Sequence, residues 1–157
     1  MAIDILKMLG ETAFADGLTV QELAVIASVC KERQFSQDEE IFGEASTGSE
    51  LYIVCKGRVS LEVALPNRPS EKQERLTTAT LGMVFGELSL VDGTPRSARA
   101  RALEDTLVIE IASSNINPLM ELHPRIGFIL MRNLATLLAF RLRSTNLWLR
   151  NELLWSR

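Results

Sequence analysis

The spacing of hydrophobic residues changes twice along the chain and divides it into three zones. The first zone, residues 1–32, has the repeat of a helix with one apolar face. The residues that carry this repeat are Leu23, Ile26, Ala27 and Cys30. Thr19-Val-Gln-Glu22 has the form of a capping box and places the start of the helix. A shorter helix, from about Ile3 to Met8, is predicted to precede it.

Between residues 33 and 112, hydrophobic residues alternate with polar ones, which is the spacing of strands. The alternating sets are Val59, Leu61 and Val63; Ala98, Ala100 and Ala102; and Leu107, Ile109 and Ile111. Turn sequences such as Asp92-Gly-Thr-Pro95 separate them. Many short strands with frequent turns predict an antiparallel β-roll, or jelly roll. A parallel α/β sheet is not expected, because no long helical segments alternate with the strands.

Residues 114–157 return to a helical pattern. Ser113 or Ser114 is predicted to cap a short helix that ends near Leu122, and Pro124 suits the first turn of the next helix. A continuous helix of the 32 residues from there to Trp155 would be about 48 Å long. Such a helix would run the full width of the body or project beyond it.

Leucines recur every three or four residues along this long helix and form what we call the leucine seam. Its members are Leu134, Leu138, Leu142, Thr145, Leu149 and Leu153. An apolar seam of this length has to be covered by something. The same helix of a second copy could cover it, or the helix could fold back onto its own β-roll.

The complete prediction is a single domain over residues 1–157, mainly β, with N-terminal helices and a long C-terminal hinge helix.

Composition narrows the possible functions. Of 157 residues, 46% are hydrophobic and 24% charged, so the chain is globular and disorder is excluded. Two cysteines and one histidine are too few for a disulfide framework, a zinc or iron–sulfur site, or a multi-histidine catalytic centre. We therefore expect no catalytic residues, no metal and no resident cofactor. A cytoplasmic location is expected for three reasons. The thiols are free, no apolar run is long enough to span a membrane, and the sequence has no secretory signal.

Charge is distributed unevenly. The net charge of −3 argues against general affinity for nucleic acids. Residues 118–157 alone carry six arginines and two glutamates, a net charge of +4. These arginines are interpreted as the solvated face of an amphipathic helix. Only Ser156 and Arg157 follow Trp155 in this sequence, which leaves no room for a helix-turn-helix module, so direct DNA binding is not expected.

The most informative segment is Phe85-Gly-Glu-Leu-Ser-Leu-Val-Asp-Gly-Thr-Pro-Arg-Ser-Ala98, which we call the cassette. Gly86 allows a positive φ or a close backbone approach. One helical turn from Glu87 to Leu90 would point free N–H groups at an anion. Arg96 follows a tight turn that can fold it back over the same spot, where its guanidinium could grip two phosphate oxygens.

An acid next to a phosphate would be repelled unless it accepts a proton from a hydroxyl group, as a ribose supplies. The combination of Gly86, Glu87 and Arg96 therefore suits one phosphate bonded to one sugar. Two simpler interpretations stay open at this point. Gly86 could be a plain turn glycine, and Glu87 could form a structural salt bridge with Arg96.

The cassette resembles the phosphate-binding cassette of the cyclic nucleotide-binding domain family, and the similarity covers about residues 15–150. Further matching segments are Thr19-Val-Gln-Glu-Leu23, Glu40 to Glu44, Gly48 to Val59, Leu81-Gly82 and Phe140-Arg-Leu-Arg-Ser-Thr-Asn146. Ala45 departs from the pattern, because many members have glycine there, and a different turn is therefore expected.

The resemblance implies a role for each matching residue. Glu87 should accept the ribose 2′-hydroxyl and Arg96 should pair with the cyclic phosphate. Backbone N–H groups near Gly86, Leu88, Ser89 and Ala98 should bind the phosphate or sugar. The remaining implied positions are Ser97 for phosphate or base, Leu61, Leu76 and Val84 for the apolar sugar and base pocket, and Thr145 and Asn146 for the base.

The function implied is that of a receptor for cyclic AMP, favoured over cyclic GMP. In the family, ligand capture pulls the cassette inward and moves the C-terminal helix over the base. The signal would pass to an unidentified downstream protein or through a homodimer formed by the C-terminal helix. The alternatives are a structural interaction domain that needs no ligand and a cupin-like enzyme, which usually needs several histidines.

Overall fold

Short helices form the N-terminal part of the molecule. The computed structural model describes residues 2–67, 69 and 73–156. Helix α1 (Ile5–Gly10) is capped by Asp4, a 3₁₀ turn follows at Ala13–Ala15, and helix α2 (Val20–Ala27) comes next. The predicted capping box is confirmed. Thr19 Oγ1 accepts from the N–H of Glu22, and the Glu22 carboxylate accepts from the N–H of Thr19.

The predicted position of Cys30 on the face of α2 is wrong. The helix ends at Ala27, and Cys30 opens the first strand. Six consecutive residues from Cys30 to Phe35 pair with the last strand of the roll. That ladder pairs the backbone groups of the segment that face β8, so sheet pairing overrides the local helical spacing.

Within the described ranges, eight antiparallel strands form two sheets. The strands are β1 (Cys30–Phe35), β2 (Glu40–Phe42), β3 (Leu51–Lys56), β4 (Val59–Ala64), β5 (Gln73–Ala79), β6 (Val84–Phe85), β7 (Arg99–Ala102) and β8 (Thr106–Ile111). One sheet has the order β1-β8-β3-β6 and the other β2-β7-β4-β5. The predicted mainly β fold, an antiparallel roll with flanking helices, is confirmed.

The sheet containing β3 is buried on both faces. Alternate residues of this sheet, including Leu51 and Ile53, pack with the helices in one core cluster. Their neighbours, including Tyr52 and Val54, pack with the second sheet in another cluster. This explains why the hydrophobic run Leu51–Val54 does not alternate, since both sides of the strand face a core.

Two helices close the chain. Helix α4 spans Ser113–Leu122 and helix α5 spans Pro124–Trp155, so the continuous helix of 32 residues is confirmed. The cap of α4 is not the predicted serine. Ala112 occupies that position, and no side chain caps the helix. None of the helices in the described ranges is long and apolar enough to cross a membrane.

The body covers only the first part of α5. Ile126, Ile129, Leu130 and Leu134 are buried. From Leu142 onward the side chains are exposed, and the leucine seam is open there, with Leu142 62% and Leu153 59% exposed. The β-roll of the same chain therefore does not cover the distal part of the seam.

Candidate functional site

The cassette starts at the end of β6 and returns into β7. Gly86 lies between β6 and helix α3 (Glu87–Asp92) and has φ +77°. The predicted turn at Glu87–Leu90 is present and extends by two residues. A Cβ atom on Gly86 would lie 2.8 Å from Nη1 of Arg96 and 2.9 Å from the backbone oxygen of Glu50. Glycine is therefore needed both for its conformation and for this close approach.

Arg96 is a buried arginine, with a side chain only 2% exposed. Its Nη1 donates to the backbone oxygen of Gly86 at 2.9 Å, and its Nη2 donates to Oε2 of Glu50 at 3.0 Å. The guanidinium carbon lies 4.2 Å from the centroid of the Phe42 ring. Its Nε is buried and has no hydrogen-bond partner within the described part of the chain. A guanidinium has five N–H donors, so Arg96 keeps donors for a further acceptor.

The loop before β3 holds the backbone of Arg96. The N–H of Ala45 donates to the Arg96 oxygen at 2.8 Å, and the N–H of Arg96 donates to the Ser46 oxygen at 3.0 Å. Ala45 has φ +61°, the left-handed conformation that glycine adopts most easily. Ala45 thus takes a glycine-like conformation in spite of its side chain. Sequence reasoning missed Glu50, since its place before a strand does not indicate which arginine it meets.

Glu87 is buried and pairs with a residue from the far end of the chain. Arg141 of α5 donates from Nη1 to Oε1 of Glu87 and from Nη2 to the backbone oxygen of Val84, the latter at 2.6 Å. Glu87 thus pairs with Arg141 while Arg96 pairs with Glu50. The interpretation of Glu87 and Arg96 as a plain structural salt bridge is therefore wrong. Arg141 lies within the matching segment at Phe140–Asn146, but sequence reasoning had singled out Thr145 and Asn146 instead.

The other predicted site residues fall into two groups by exposure. Val84, directly before the cassette, and Ser89 and Ala98 within it are buried, and Leu61 is half-buried on β4. Leu76, Leu88, Ser97, Thr145 and Asn146 are exposed. Thr145 lies one turn beyond Arg141 on α5, and its hydroxyl donates to the Arg141 backbone oxygen at 2.9 Å. The structure thus brings Gly86, Glu87 and Arg96 together and leaves the two predicted base contacts open to solvent.

A cavity of about 490 Å³ touches the cassette at Ser89 to Pro95. It lies between this segment, the loop at 47–49 and the start of α4, and its described lining includes neither Glu87 nor Arg96. On the side of Glu87, Arg141 bridges Val84 and Glu87. The cavity is therefore separate from the two charged residues of the predicted site.

The remaining ionisable groups do not favour nucleophilic chemistry. Burial, with a smaller effect of Cys55, raises the pKa of Cys30 to about 12. Burial likewise raises the pKa of Cys55 to about 11. Both thiols are consequently protonated at neutral pH, and the thiolate is the nucleophilic form. Within the described residues, no group of three or more histidine, cysteine or acidic side chains could hold a metal ion.

Burial also raises the pKa of Tyr52 to about 12, with smaller contributions from Glu110 and Glu50. The phenol therefore stays neutral. Its ring stacks on Phe85 with centroids 5.1 Å apart and lies 5.9 Å from the guanidinium carbon of Arg96. Together with Phe42 it gives Arg96 an aromatic wall, which restricts the positions that the guanidinium can take.

Comparison with protein families gives a match over more than half of the chain. The model of the Cyclic nucleotide-binding domain family matches residues 32–123. This range includes the eight strands except the first two residues of β1, the complete cassette and α4. The match therefore covers the β-roll and the cassette with Gly86, Glu87 and Arg96, and it ends before Arg141 on α5.

Individual relatives agree with this match. The chain is 33% identical over 131 residues to the Cyclic AMP receptor protein of Thermus thermophilus, which covers 83% of this chain and 57% of the relative. The crystal structure of Thermus thermophilus Catabolite Activator Protein has a TM-score of 0.76 at 32% identity, over 88% of this chain and 62% of that one. Glutaminase 1 of Bradyrhizobium diazoefficiens is 34% identical over 88% of this chain. That match covers only 21% of the glutaminase, so the chain corresponds to part of each of these two curated relatives.

Proposed function

Since this chain belongs to the cyclic nucleotide-binding domain family, we propose that it is a regulatory receptor that binds a cyclic nucleotide in its cassette. The observation that carries the proposal is the state of Arg96. Burying a cation is costly unless its charge and its donors are matched. Among the described residues, Arg96 has one carboxylate partner and a buried Nε without an acceptor, which suits an additional anionic ligand such as a phosphate.

The surrounding groups fit the rest of such a ligand. The first turn of α3 follows Gly86 directly, and its N–H groups have no partner inside the helix. In this proposal, N–H groups near Gly86, Leu88, Ser89 and Ala98 bind the phosphate together with Arg96. Glu87 accepts the ribose 2′-hydroxyl. Leu61, Leu76 and Val84 contact the sugar and base, and Ser97 adds a hydroxyl.

Cyclic AMP is proposed as the preferred ligand over cyclic GMP. The relative from Thermus thermophilus is named for cyclic AMP, and its identity to this chain extends over most of the domain. Ser97 is compatible with guanine recognition, so cyclic GMP is the second candidate. Thr145 and Asn146 are proposed to reach the base only after α5 has moved, because both are exposed in the present arrangement.

The response to the ligand is proposed to be a movement of α5. This helix is anchored at its start and free along its distal part, so it can change position without disrupting the core. We propose that a homodimer through the leucine seam, or an unidentified protein partner, receives the signal in the cytoplasm. The chain would thus act by binding and not as an enzyme.

The proposal is tested by titrating the purified chain with cyclic AMP, cyclic GMP and 5′-AMP while the melting temperature is followed. At 100 times its Kd, a ligand that binds only the folded state stabilises it by about 2.7 kcal/mol. In a domain of this size that raises Tm by roughly 5–10 °C. We expect this rise with cyclic AMP, a smaller one with cyclic GMP and none with 5′-AMP.

Arg96→Lys is the informative variant, because it keeps the buried charge next to Glu50 but removes the planar fork of donors. We expect it to fold and to lose most of the rise in Tm. If no cyclic nucleotide raises Tm at millimolar concentration, the receptor function is wrong. The chain would then be the alternative, a protein-interaction domain that keeps the fold without the ligand.

A further inference from the structure

The cavity beside the cassette has no role in the proposed function. Its volume of about 490 Å³ is typical of a site for a small molecule. Three segments line it, namely the loop at 47–49, helix α3 with the turn that follows it, and helix α4. The described lining contains no acidic side chain that would repel an anion, and no aromatic ring on which a nucleobase could stack. Hydroxyl, amide and backbone groups supply its polar surface.

The N-terminus of α4 lies at this cavity without a cap. No side chain bonds to it, and neither the N–H of Ser113 nor that of Ser114 has a hydrogen-bond partner among the described residues. Ser113 lines the cavity, and so does Asn117, one turn further along the helix. Free N–H groups and the positive end of the helix dipole favour an anion at such a position.

A buried hydroxyl on α3 indicates a ligand independently of α4. Ser89 is only 3% exposed and lines the cavity. Its hydroxyl has no hydrogen-bond partner in the described part of the chain, yet it is not one of the fully buried polar atoms that lack a partner. The hydroxyl therefore faces the space that Ser89 lines. Buried hydroxyls are normally paired, and here only a group inside the cavity can pair with it.

The pair formed by Ser49 and Ser113 supplies another donor. Their side-chain oxygens are in hydrogen-bond contact, and either one can be the donor. Since a hydroxyl has a single proton, the residue that accepts keeps its own proton for another group. Both residues line the cavity, so one O–H donor is available in either arrangement.

Two carboxylates lie close to the lining in sequence, and both are already engaged. Glu50 accepts from Arg96 at 3.0 Å and from the N–H of Ser49 at 3.1 Å. Asp92 accepts from the N–H and the hydroxyl of Thr94. Asp92 is exposed, so solvent and salt screen its charge. Neither acid belongs to the lining, and the donors that face the cavity remain available.

We propose that this cavity is a second binding site, which takes a small oxyanion of the phosphate type. The donors are the free N–H groups at the start of α4, the hydroxyl of Ser89, the Ser49–Ser113 pair and the amide of Asn117. An oxyanion has several acceptor atoms, so it can bond to α3, α4 and the loop at 47–49 at once. The site is separate from Glu87 and Arg96, and it does not depend on the proposed function.

The test follows the backbone amide signals of the isotope-labelled full chain by NMR while inorganic phosphate is added at constant ionic strength. We expect saturable shifts at Ser113 and Asn117. The same shifts should occur in Arg96→Lys, in which the cassette has lost its planar fork of donors. A parallel titration with glycerol 1-phosphate distinguishes the two sources of a phosphate group. A lower Kd than that of inorganic phosphate identifies a small ester as the ligand, and a higher one identifies the free anion.

Asn117→Asp is the informative variant, because it adds a negative charge to the lining at an exposed position that the core does not need. We expect the Kd for phosphate to rise at least about tenfold through repulsion. Asn115→Asp is the matched control. It adds the same charge to the same helix, but Asn115 is not in the lining and lies about 160° around α4 from Asn117. It should change the Kd less than about threefold.

Three results would overturn the inference. Shifts confined to the surroundings of Gly86 and Arg96 would mean that phosphate binds only in the cassette. Without a saturable shift at Ser113 and Asn117, the cavity holds water alone. An equal rise of the Kd in both asparagine variants would show a general effect of charge. The titration with cyclic AMP is a separate measurement, so failure of this site leaves the proposed function unaffected.

Discussion

At the scale of single residues, the site depends on a close approach between two segments at Gly86. Replacing it by alanine puts a Cβ atom 2.9 Å from the backbone oxygen of Glu50, which cannot move aside cheaply, and 2.8 Å from Nη1 of Arg96. We expect Gly86→Ala to lower the free energy of unfolding by about 2–4 kcal/mol. We also expect the affinity for cyclic AMP to fall at least about tenfold, because Arg96 is displaced. Urea denaturation and calorimetry measure the two effects.

Gly93 offers a matched control at the other end of α3. It has a similar left-handed conformation, φ +69°, but no atom lies within 4 Å of where its Cβ would be. Gly93→Ala therefore costs only the backbone conformation, about 1–2 kcal/mol, and should change the affinity less than about threefold. If the two variants behave alike, the close approach at Gly86 is unimportant and only its φ angle matters.

The residues of the site differ in how far they could be predicted. Gly86, Glu87 and Arg96 lie within one short segment, so their spacing carried a chemical interpretation. Glu50 and Arg141 reach these residues from 46 and 54 positions away, and sequence spacing does not show which charges meet at such distances. The conformation of Ala45 could not be predicted either, because the bonds with Arg96 and the loop impose it.

At the scale of elements, β4 and β7 are joined by an ion network on the surface of their sheet. Glu62 of β4 is buried, with 7% of its side chain exposed. It accepts from Nε and Nη2 of Arg101 on β7 at 3.2 and 2.8 Å, and Arg99 lies 4.0 Å away. Burial raises the pKa of Glu62, but the hydrogen bonds from Arg101 and Ser60 outweigh it, so the pKa lies below its ordinary value.

A lowered pKa in the folded state stabilises the protein only where the carboxylate is ionised. The contribution of Glu62 is present above its unfolded pKa of about 4.3 and is lost as the pH falls through the lower folded value. We expect Glu62→Gln to lower the free energy of unfolding by about 1–2 kcal/mol at pH 7. This difference from the unmodified chain should shrink as the pH decreases below about 4.3. Urea denaturation at several pH values measures it.

The exposed pair of Arg58 and Glu104 is the control for this network. Both side chains are about half exposed, and solvent screens such pairs. Glu104→Gln should therefore change the stability by less than about 0.5 kcal/mol at every pH. A pH-independent loss in Glu62→Gln would contradict the role given to the ionised carboxylate.

Elements with a regular pattern could be predicted from the sequence, but the residues at which some of them begin or end could not. The alternating residues at β4 and β8 and the helical pattern of α5 predicted bounds close to the observed ones. Cys30 was misassigned because four residues at helical spacing are a weak signal compared with six paired residues in a sheet. The cap of α4 at Ala112 has no sequence signal, because its side chain makes no bond.

At the scale of the whole molecule, the distal part of α5 has an exposed apolar seam that no other described part of the chain covers. Of the other exposed large apolar side chains on it, Trp148 and Trp155 lie beside the seam, whereas Phe140, Leu147 and Leu154 lie on the opposite side of the helix. Contiguous apolar surfaces of this kind mark interaction sites. Regular steps of three and four residues along the seam favour a helix as the partner. The same helix of a second copy has the matching seam, and this supports the proposed homodimer.

The final prediction concerns the mass of the protein in solution. Sedimentation velocity should give twice the chain mass of 17.5 kDa for the unmodified protein. Leu149→Glu should give the monomer mass, because it buries a charge in the middle of the seam. Arg150→Glu should remain dimeric, since at about 100° per residue Arg150 lies away from Leu149, on the side of the helix that also carries Arg143. If both variants dissociate, the dimer uses another face of the helix. If the unmodified chain is monomeric even at about 100 times the concentration used for ligand binding, the partner of α5 is a different protein.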